Sequence, residues 1–295
     1  MGQPIILVTG ASGNVGQALC KRLTPDYHVI GLDIKPAGQA SESYECDFTN
    51  DDSIELVFRK IKEKHGTKIA CVIHLAAYFD FTGDPHPLYE TLNVEGTRLL
   101  LTHLQKFTVQ RFIYSSTMLV HEPASPGHKI TEETPVSPGW IYPQSKADAE
   151  QAIRESHGDI PYTILRLAGL YDDESAVPTL SYQIARIYEH ELKSWVYSGD
   201  LMAGQAFIHQ DDMMEVFASV VEKREDLPEN NVILAGEPEV MGYQALQNRI
   251  GNLIHGEQEW KTIDIPEFIA KPGAWLETKS EPVVPDAFDH GEKPF

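Results

Sequence analysis

Tyr142 and Lys146 stand four residues apart in "IYPQSKADAEQAI", a stretch with helical spacing. On a helix that spacing stacks both side chains on one face, one turn apart. A phenol with an ordinary pKa near ~10 is a poor base at neutral pH. A nearby ammonium favours phenolate, and lowering the pKa by ~3 units takes ~4 kcal/mol, of which Lys146 is expected to supply part. Such a pair suits proton transfer at an alcohol or carbonyl oxygen. Thr117, at the end of "IYSST", offers a hydroxyl to polarise that oxygen while Tyr142 moves the proton. Ser116 competes for this role, but alternation along a strand turns one of the two away.

A second constellation precedes this one. "TGASGNVG" (9–16) directly follows the apolar run "PIILV". Each glycine costs order, so three at short spacing imply that something must approach the backbone. Gly10 can make the tight turn, Gly13 can admit a pyrophosphate, and Gly16 can let the following helix pack closely. Ser12, Asn14 and Val15 complete the loop and the first helical turn, whose free N–H groups and positive dipole end favour an anion. Asp33 ends the next strand, 17 residues after Gly16, where a carboxylate can accept from adenosine ribose hydroxyls. A phosphate on that ribose would face Asp33 at about 4 Å, a repulsion of about 4 kcal/mol at an effective dielectric near 20. Lys35 offsets this only by folding back, so the expected cofactor is NAD rather than NADP. The positive nicotinamide ring would add to the pull of Lys146 on the phenol.

These residues need elements to hold them. "PIILVT" (4–9), "YHVIGLD" (27–33), "IACVIHLAA" (69–77), "VQRFIYSS" (109–116) and "PYTILRLA" (161–168) are short, β-rich and continuously apolar, as strands covered on both faces should be. "NVGQALCKRL", "DDSIELVFRKIKEKHG", "LYETLNVEGTRLLLTHLQKF" and "QSKADAEQAIRESHG" alternate with them at helical spacing. The expected fold is α/β: a Rossmann-type doubly wound parallel sheet with helices on both faces and a smaller C-terminal substrate-binding part. Residues 1–168 are expected to form the dinucleotide-binding domain and 169–263 mainly the substrate-binding part. In 264–295 the prolines interrupt every period, predicting a surface-wrapping or disordered tail.

Composition narrows the function classes. The 295 residues are 42% hydrophobic and 23% charged, enough for a sizeable core. A net charge of −20 disfavours nucleic acid and anionic lipid. No apolar run reaches transmembrane length and no secretory signal is visible, so a cytoplasmic protein is expected. Cys20, Cys46 and Cys71 show no zinc or redox spacing, and the twelve histidines include no HExxH cluster, so no metal is expected.

Taken in order, TGxxGxxG, Asp33, "DFTN" with Asp47, "HLAA" (74–77), "NVEGT" with Asn93, Thr117 and Tyr142/Lys146 make residues 1 to about 220 resemble the extended short-chain dehydrogenases/reductases, the NAD-dependent epimerase/dehydratase family. The resemblance implies that Asp47 and Phe48 meet the adenine side and that Leu75, Ala76 and Ala77 line the cofactor. It implies that Asn93 holds the site's architecture beside the cofactor, and that Lys146 also reaches the nicotinamide ribose. Thr117, Tyr142 and Lys146 would be the catalytic group. A homodimer is expected by the same likeness.

The departures concern substrate. Where relatives acting on nucleotide-diphosphate sugars carry RxxNxYG, this chain reads "RLAGLYD", keeping Arg166 and Tyr171 but placing Gly169 at the asparagine. Where they carry RDFxxVxD it reads "QAFIHQDD", with Gln205 for the arginine. Losing one guanidinium contact costs a diphosphate roughly 1.5–3 kcal/mol. Met118 and Leu119 replace the two acids that dehydratases place after the threonine. Tyr78, Phe79 and Phe81 are expected to wall a pocket or pack in the core. Thr117, Gly169 and His209 are further candidate substrate contacts, while Asp212 is expected to cap the helix beginning "MMEVF". The expected activity is hydride transfer at a secondary alcohol or ketone carbon, as epimerase or dehydrogenase. The rival class is a dinucleotide-binding regulator or assembly factor without catalysis.

Overall fold

The structure is a computed structural model describing residues 2–80, 82–125 and 127–265. Seven strands form the main sheet: β1 (Ile5–Thr9), β2 (His28–Asp33), β3 (Glu42–Glu45), β4 (Lys68–His74), β5 (Thr108–Thr117), β6 (Tyr162–Leu167) and β7 (Asn230–Ala235). Their spatial order is β7-β6-β5-β4-β1-β2-β3, and every pairing is parallel. The strand order reverses between β1 and β4, and ligands of open α/β sheets bind outside the carboxyl ends of the strands at such a point. Thr9, Asp33, His74 and Thr117 all end strands on that edge. The short edge strand "ESYE" escaped the sequence reading because its residues are neither continuously apolar nor fully buried.

The helices are α1 (Asn14–Leu23), α2 (Asp51–His65), α3 (Thr97–Leu104), α4 (Ile141–Ser156), α5 (Pro178–Tyr188), α6 (Gln210–Glu222) and α7 (Tyr243–His255). In α2 the Asn50 side chain accepts the Ser53 N–H, Asp51 and Asp52 fill the positive first turn, and Gly66 at φ 81° ends the helix. Its buried face, Ile54, Val57, Phe58 and Ile61, joins Leu7, Ile30, Val72, Phe112 and Ile164 of the sheet and Leu100, Leu104 and Ile153 of α3 and α4 in one core. Ahead of α3, Tyr89–Gly96 is wound as a π-helix, a local irregularity inside what reads from sequence as one continuous helix.

The described chain divides into two units. Of the described residues, the first takes 2–123, 130–168 and 208–236; the second takes 124–129, 169–207 and 237–265. The expected division at 169–263 is thus interrupted. Residues 208–236, assigned from sequence to the substrate-binding part, return to the first unit, where β7 pairs along all six residues of β6. Within the second unit Leu180, Ile187, Ile250 and Trp260 form a small core. Gln247 Nε2 and Trp260 Nε1 both donate to the Ser194 carbonyl, at 2.7 and 3.1 Å. The proline-rich stretch 266–295, and Phe81, lie outside the described residues. Among the described residues no helix is long and apolar enough to cross a membrane.

Candidate active site at the carboxyl edge of the sheet

The glycine loop has the geometry its spacing implies, with one refinement. Gly10 adopts φ +68°, and a Cβ there would lie 2.7 Å from the Ala76 nitrogen. Gly13 has open space around it, the nearest neighbour of an added Cβ being the Gly10 carbonyl at 3.5 Å. At Gly16 a Cβ would collide with that same carbonyl at 2.1 Å and with the Ala11 backbone, so the third glycine seats α1 on the loop's own first turn. No side chain caps the N-terminus of α1 at Gly13, and Asn14 is exposed beside it. Asp33 Oδ2 accepts the Ser12 N–H at 3.0 Å, tying the end of β2 to the loop.

Beneath the loop runs a buried polar chain. Thr9 Oγ1 accepts the N–H groups of Leu75 (3.2 Å) and Ala76 (3.1 Å), so its proton goes to His74 Nδ1 at 2.7 Å. His74 Nε2–H then donates to Thr97 Oγ1 at 3.0 Å, and Thr97 donates to the Asn93 carbonyl at 2.7 Å. Each link fixes the direction of the next, which makes His74 neutral with its proton on Nε2. Burial, reinforced by the charge of Lys146, pushes the His74 pKa down to about 3.

The Asn93 side chain continues the framework. Its Oδ1 accepts the Tyr78 N–H (2.7 Å), and its amide donates to the Tyr78 carbonyl (3.0 Å) and to Ser145 Oγ (2.9 Å). Ser145 in turn donates to the Tyr142 carbonyl at 2.8 Å. Both amide protons of Asn93 are therefore spent on protein, which suits an architectural role rather than the cofactor contact also expected of it.

Ser116 and Thr117 separate as strand alternation demands. Ser116 Oγ donates to Glu150 at 2.6 Å, inside a cluster where Arg166 clamps Glu150 through Nε (3.0 Å) and Nη2 (2.7 Å) and reaches His121 Nε2 (3.0 Å). Burial alone would raise the Glu150 carboxyl, but the bonds from Arg166 and Ser116 outweigh it and hold it below its usual range. Arg166 is thereby consumed inside the first unit. Thr117 Oγ1 accepts only the Leu119 N–H at 3.2 Å, leaving its O–H without an acceptor among the described residues.

Tyr142 and Lys146 differ from all these groups. Lys146 is almost fully buried, with Nζ 4.3 Å over the centroid of the Tyr114 ring. It makes no hydrogen bond among the described residues, and burial lowers its pKa to about 7 against the pull of Glu150. The Tyr142 hydroxyl likewise has no hydrogen-bond partner among the described residues. Its ring meets Phe79 edge-on at 4.4 Å and Trp140 at 5.6 Å. Burial, with Tyr89 adding to it, raises the phenol above its ordinary value. The lowering expected from Lys146 is therefore not a property of the protein side chains alone: the cost of a buried phenolate dominates.

The remaining expected contacts are placed as follows. Asp47 Oδ1 accepts both the N–H and the hydroxyl of Thr49, Phe48 is buried, and Ala77 follows the end of β4 half-buried. Val15 is half-buried in the first turn of α1. The Tyr78 ring stacks on His86 at 4.4 Å, so Phe79, rather than Tyr78, meets the Tyr142 phenol. His209 Nδ1 accepts the Asp211 N–H at 3.2 Å and caps α6, the role expected of Asp212, which lies instead in the first turn. In the second unit a Cβ at Gly169 would lie 2.9 Å from Gln205 Nε2, and Tyr171 donates to Glu237 at 2.6 Å. Sequence reading missed Thr9, His74, Thr97, Ser145 and Glu150. Of these only His74 carried a signal, as the polar end of an otherwise apolar strand.

Residues 6–236 match the model of the NAD dependent epimerase/dehydratase family. The chain belongs to that family. It is 26% identical over 233 residues to the dTDP-D-glucose 4,6-dehydratase of Homo sapiens, a match covering 74% of this chain and 65% of that protein. It is 31% identical over 153 residues to the UDP-glucose 4-epimerase of Mycolicibacterium smegmatis, covering 49% and 48%. Thus the chain spans about 65% of the length of the dehydratases it matches. Among solved structures, the Bordetella bronchiseptica enzyme WbmG in complex with NAD shares the fold with a TM-score of 0.68 at 19% identity, covering 94% of this chain and 95% of that one. As a member of the NAD dependent family, the chain presents residues that fit the dinucleotide: open space at Gly13, an uncapped helix N-terminus, the Asp33 carboxylate, and a buried ammonium without a hydrogen-bond partner among the described residues.

Proposed function

We propose that the protein is an NAD-dependent enzyme moving a hydride at a secondary alcohol or ketone carbon of a small, sugar-like hydroxylated substrate. One observation carries this reading. Among the described residues, Thr9, His74, Thr97, Asn93 and Ser145 close on one another or on nearby backbone, whereas Tyr142 Oη, Lys146 Nζ and the Thr117 proton do not, and the buried Tyr114 hydroxyl next to Lys146 also lacks a partner. Leaving a buried ammonium without a hydrogen bond is costly unless a ligand completes its shell.

NAD, when bound, accepts or returns the hydride. The open backbone at Gly13, the first turn of α1 and Asp33 hold its adenosine and diphosphate, and Lys146 holds the ribose next to the reacting ring. Thr117 donates its hydroxyl proton to the substrate oxygen and orients it. Tyr142 transfers the proton at that oxygen, acting as acid when the carbonyl is reduced and as base when the alcohol is oxidised. The Asn93–Ser145 link to the Tyr142 carbonyl positions the phenol.

The substrate assignment rests on charge. In the sequence motifs, Gly169 and Gln205 replace the asparagine and arginine expected of nucleotide-diphosphate-sugar enzymes, and Arg166 is committed to Glu150. A nucleotide-diphosphate sugar is the second reading, favoured by the named relatives. The homodimer and the cytoplasmic location belong to the same proposal and rest on family likeness and composition. Purified protein incubated with NAD and a panel of polyols, sugar acids and nucleotide sugars distinguishes the readings. Turnover of a small hydroxylated substrate is expected, read as NADH accumulation if the enzyme is a dehydrogenase and as formation of the epimer with NAD unchanged if it is an epimerase. Turnover confined to nucleotide sugars would move the assignment to the second reading, and cofactor binding without turnover would favour the regulator.

A further inference from the structure

The amino-terminal edge of the sheet, opposite the catalytic edge, carries a second cluster. His28 is the first residue of β2, Glu42 the first of β3, and His65 the last of α2. Because β2 and β3 run parallel and α2 leads back into β4, all three arrive at the same end of the sheet. Their ligand-type atoms lie within 4.8 Å of one another, and each residue is half-buried.

The two carboxylate oxygens of Glu42 divide their work. Oε1 accepts from the Tyr44 hydroxyl and from Lys64 Nζ, the latter at 2.8 Å. Oε2 faces two imidazoles, His65 Nε2 at 2.9 Å and His28 Nε2 at 3.5 Å. His28 Nε2 is sealed from solvent and has no hydrogen-bond partner among the described residues. Donors on both oxygens, from Tyr44, Lys64 and His65, suit the charged carboxylate form.

Bonds of about 2.0–2.2 Å in a tetrahedral shell set neighbouring ligand atoms roughly 3.3–3.6 Å apart. The two Glu42–imidazole separations bracket the lower end of that spacing. Two imidazole nitrogens and one carboxylate oxygen are also the donor set that zinc accepts with one position left for water. We propose that His28, Glu42 and His65 form a binding site for one divalent transition ion of the zinc class, with water as the fourth ligand. Tyr44 and Lys64 hold the carboxylate from outside that shell. Binding replaces the proton on His65 Nε2 with the metal and brings His28 into the shell, clipping the four-residue edge strand β3 to β2 and α2. The site is independent of the proposed reaction.

The test is calorimetric titration of zinc chloride into the metal-free full chain near neutral pH, with melting followed in parallel. The wild type is expected to take up one tight equivalent and to melt higher with zinc. His28→Gln and His65→Gln should each lose that equivalent and the shift in melting. Lys64→Ala, which removes a competing cation from Glu42, should keep the equivalent and bind it more tightly. Equal uptake by wild type and both histidine variants would place the metal elsewhere and overturn the proposal, as would weaker binding in Lys64→Ala or no tight equivalent at all. Should both histidine variants fold poorly, the visible spectrum of cobalt-loaded wild type decides: intense tetrahedral bands support the site, and an octahedral spectrum overturns it.

Discussion

The two units of this chain solve different problems with the same residue types. In the first, largely buried strands frame a polar network in which Thr9, His74, Thr97, Asn93 and Ser145 bond to one another or to nearby backbone, and Glu150 to Ser116 and Arg166. In the second, four residues make up the buried core, while Tyr188, Leu192, Met202 and Leu253 are each more than 60% exposed. One unit fixes the positions of a phenol, an amine and a hydroxyl; the other carries Gly169 and Gln205, the positions proposed to select substrate. On that proposal, the chemistry is held where packing tolerates least change and selection where a substitution disturbs less.

The contrast can be broken first at the phenol. Tyr142→Phe removes the transferable proton while keeping the ring contacts with Phe79 and Trp140. Turnover should fall by roughly 10²–10⁴-fold with the fold intact, the range for loss of a positioned acid/base. Steady-state rates with circular dichroism as control measure it. Activity near that of the wild type would reassign the proton transfer.

The rigidity of the first unit is tested by acid. The His74 pKa of about 3 lies below the unfolded value near 6.5, so the native state binds fewer protons between those limits. Stability therefore rises with pH from about 3 to 6.5 and falls on acidification, by about 3 kcal/mol at pH 4 from this group alone. In His74→Gln, which lacks the titrating ring, that part of the acid slope should vanish in denaturant melts taken across this range. An unchanged slope would show that His74 is not the group opposing protonation.

The smallest effect sharpens the second unit. Gly169→Asn combined with Gln205→Arg restores the pair that diphosphate-binding relatives carry. Besides the end of Gln205, the added Cβ at Gly169 would meet Phe207 Cδ1 at 3.2 Å and the Ala206 carbonyl at 3.3 Å, so a loss of stability of about 1–3 kcal/mol is expected alongside and is followed by melting. Affinity for a nucleotide-diphosphate sugar should improve about 10–100-fold, the worth of one charge-assisted contact. No gain in a competition titration would mean that these positions do not select the substrate.

How far the sequence could be read follows the same line. Five sheet strands and the four helices between them announce themselves through continuous apolar runs or 3.6-residue periodicity, because strands covered on both faces of a parallel sheet leave little room for polar positions. The π-wound turn at Tyr89–Gly96 keeps an ordinary helical pattern and was invisible, as was β3, a polar edge. The glycine loop, Asp33, Tyr142 and Lys146 were legible since local spacing places them. Glu150 with Arg166, and His28 with Glu42 and His65, are joined only by the fold. His209 capping α6 in place of Asp212 shows how a helix boundary shifted by three residues exchanges the roles of neighbours.

Calorimetric titration of NAD into wild type, Lys146→Met and Tyr142→Phe is the most direct trial of the idea that the unpaired amine awaits the dinucleotide. The wild type and Tyr142→Phe should bind with similar affinity, and Lys146→Met should bind at least tenfold more weakly. Absence of heat from the wild type at millimolar NAD, or equal binding by all three proteins, would contradict it.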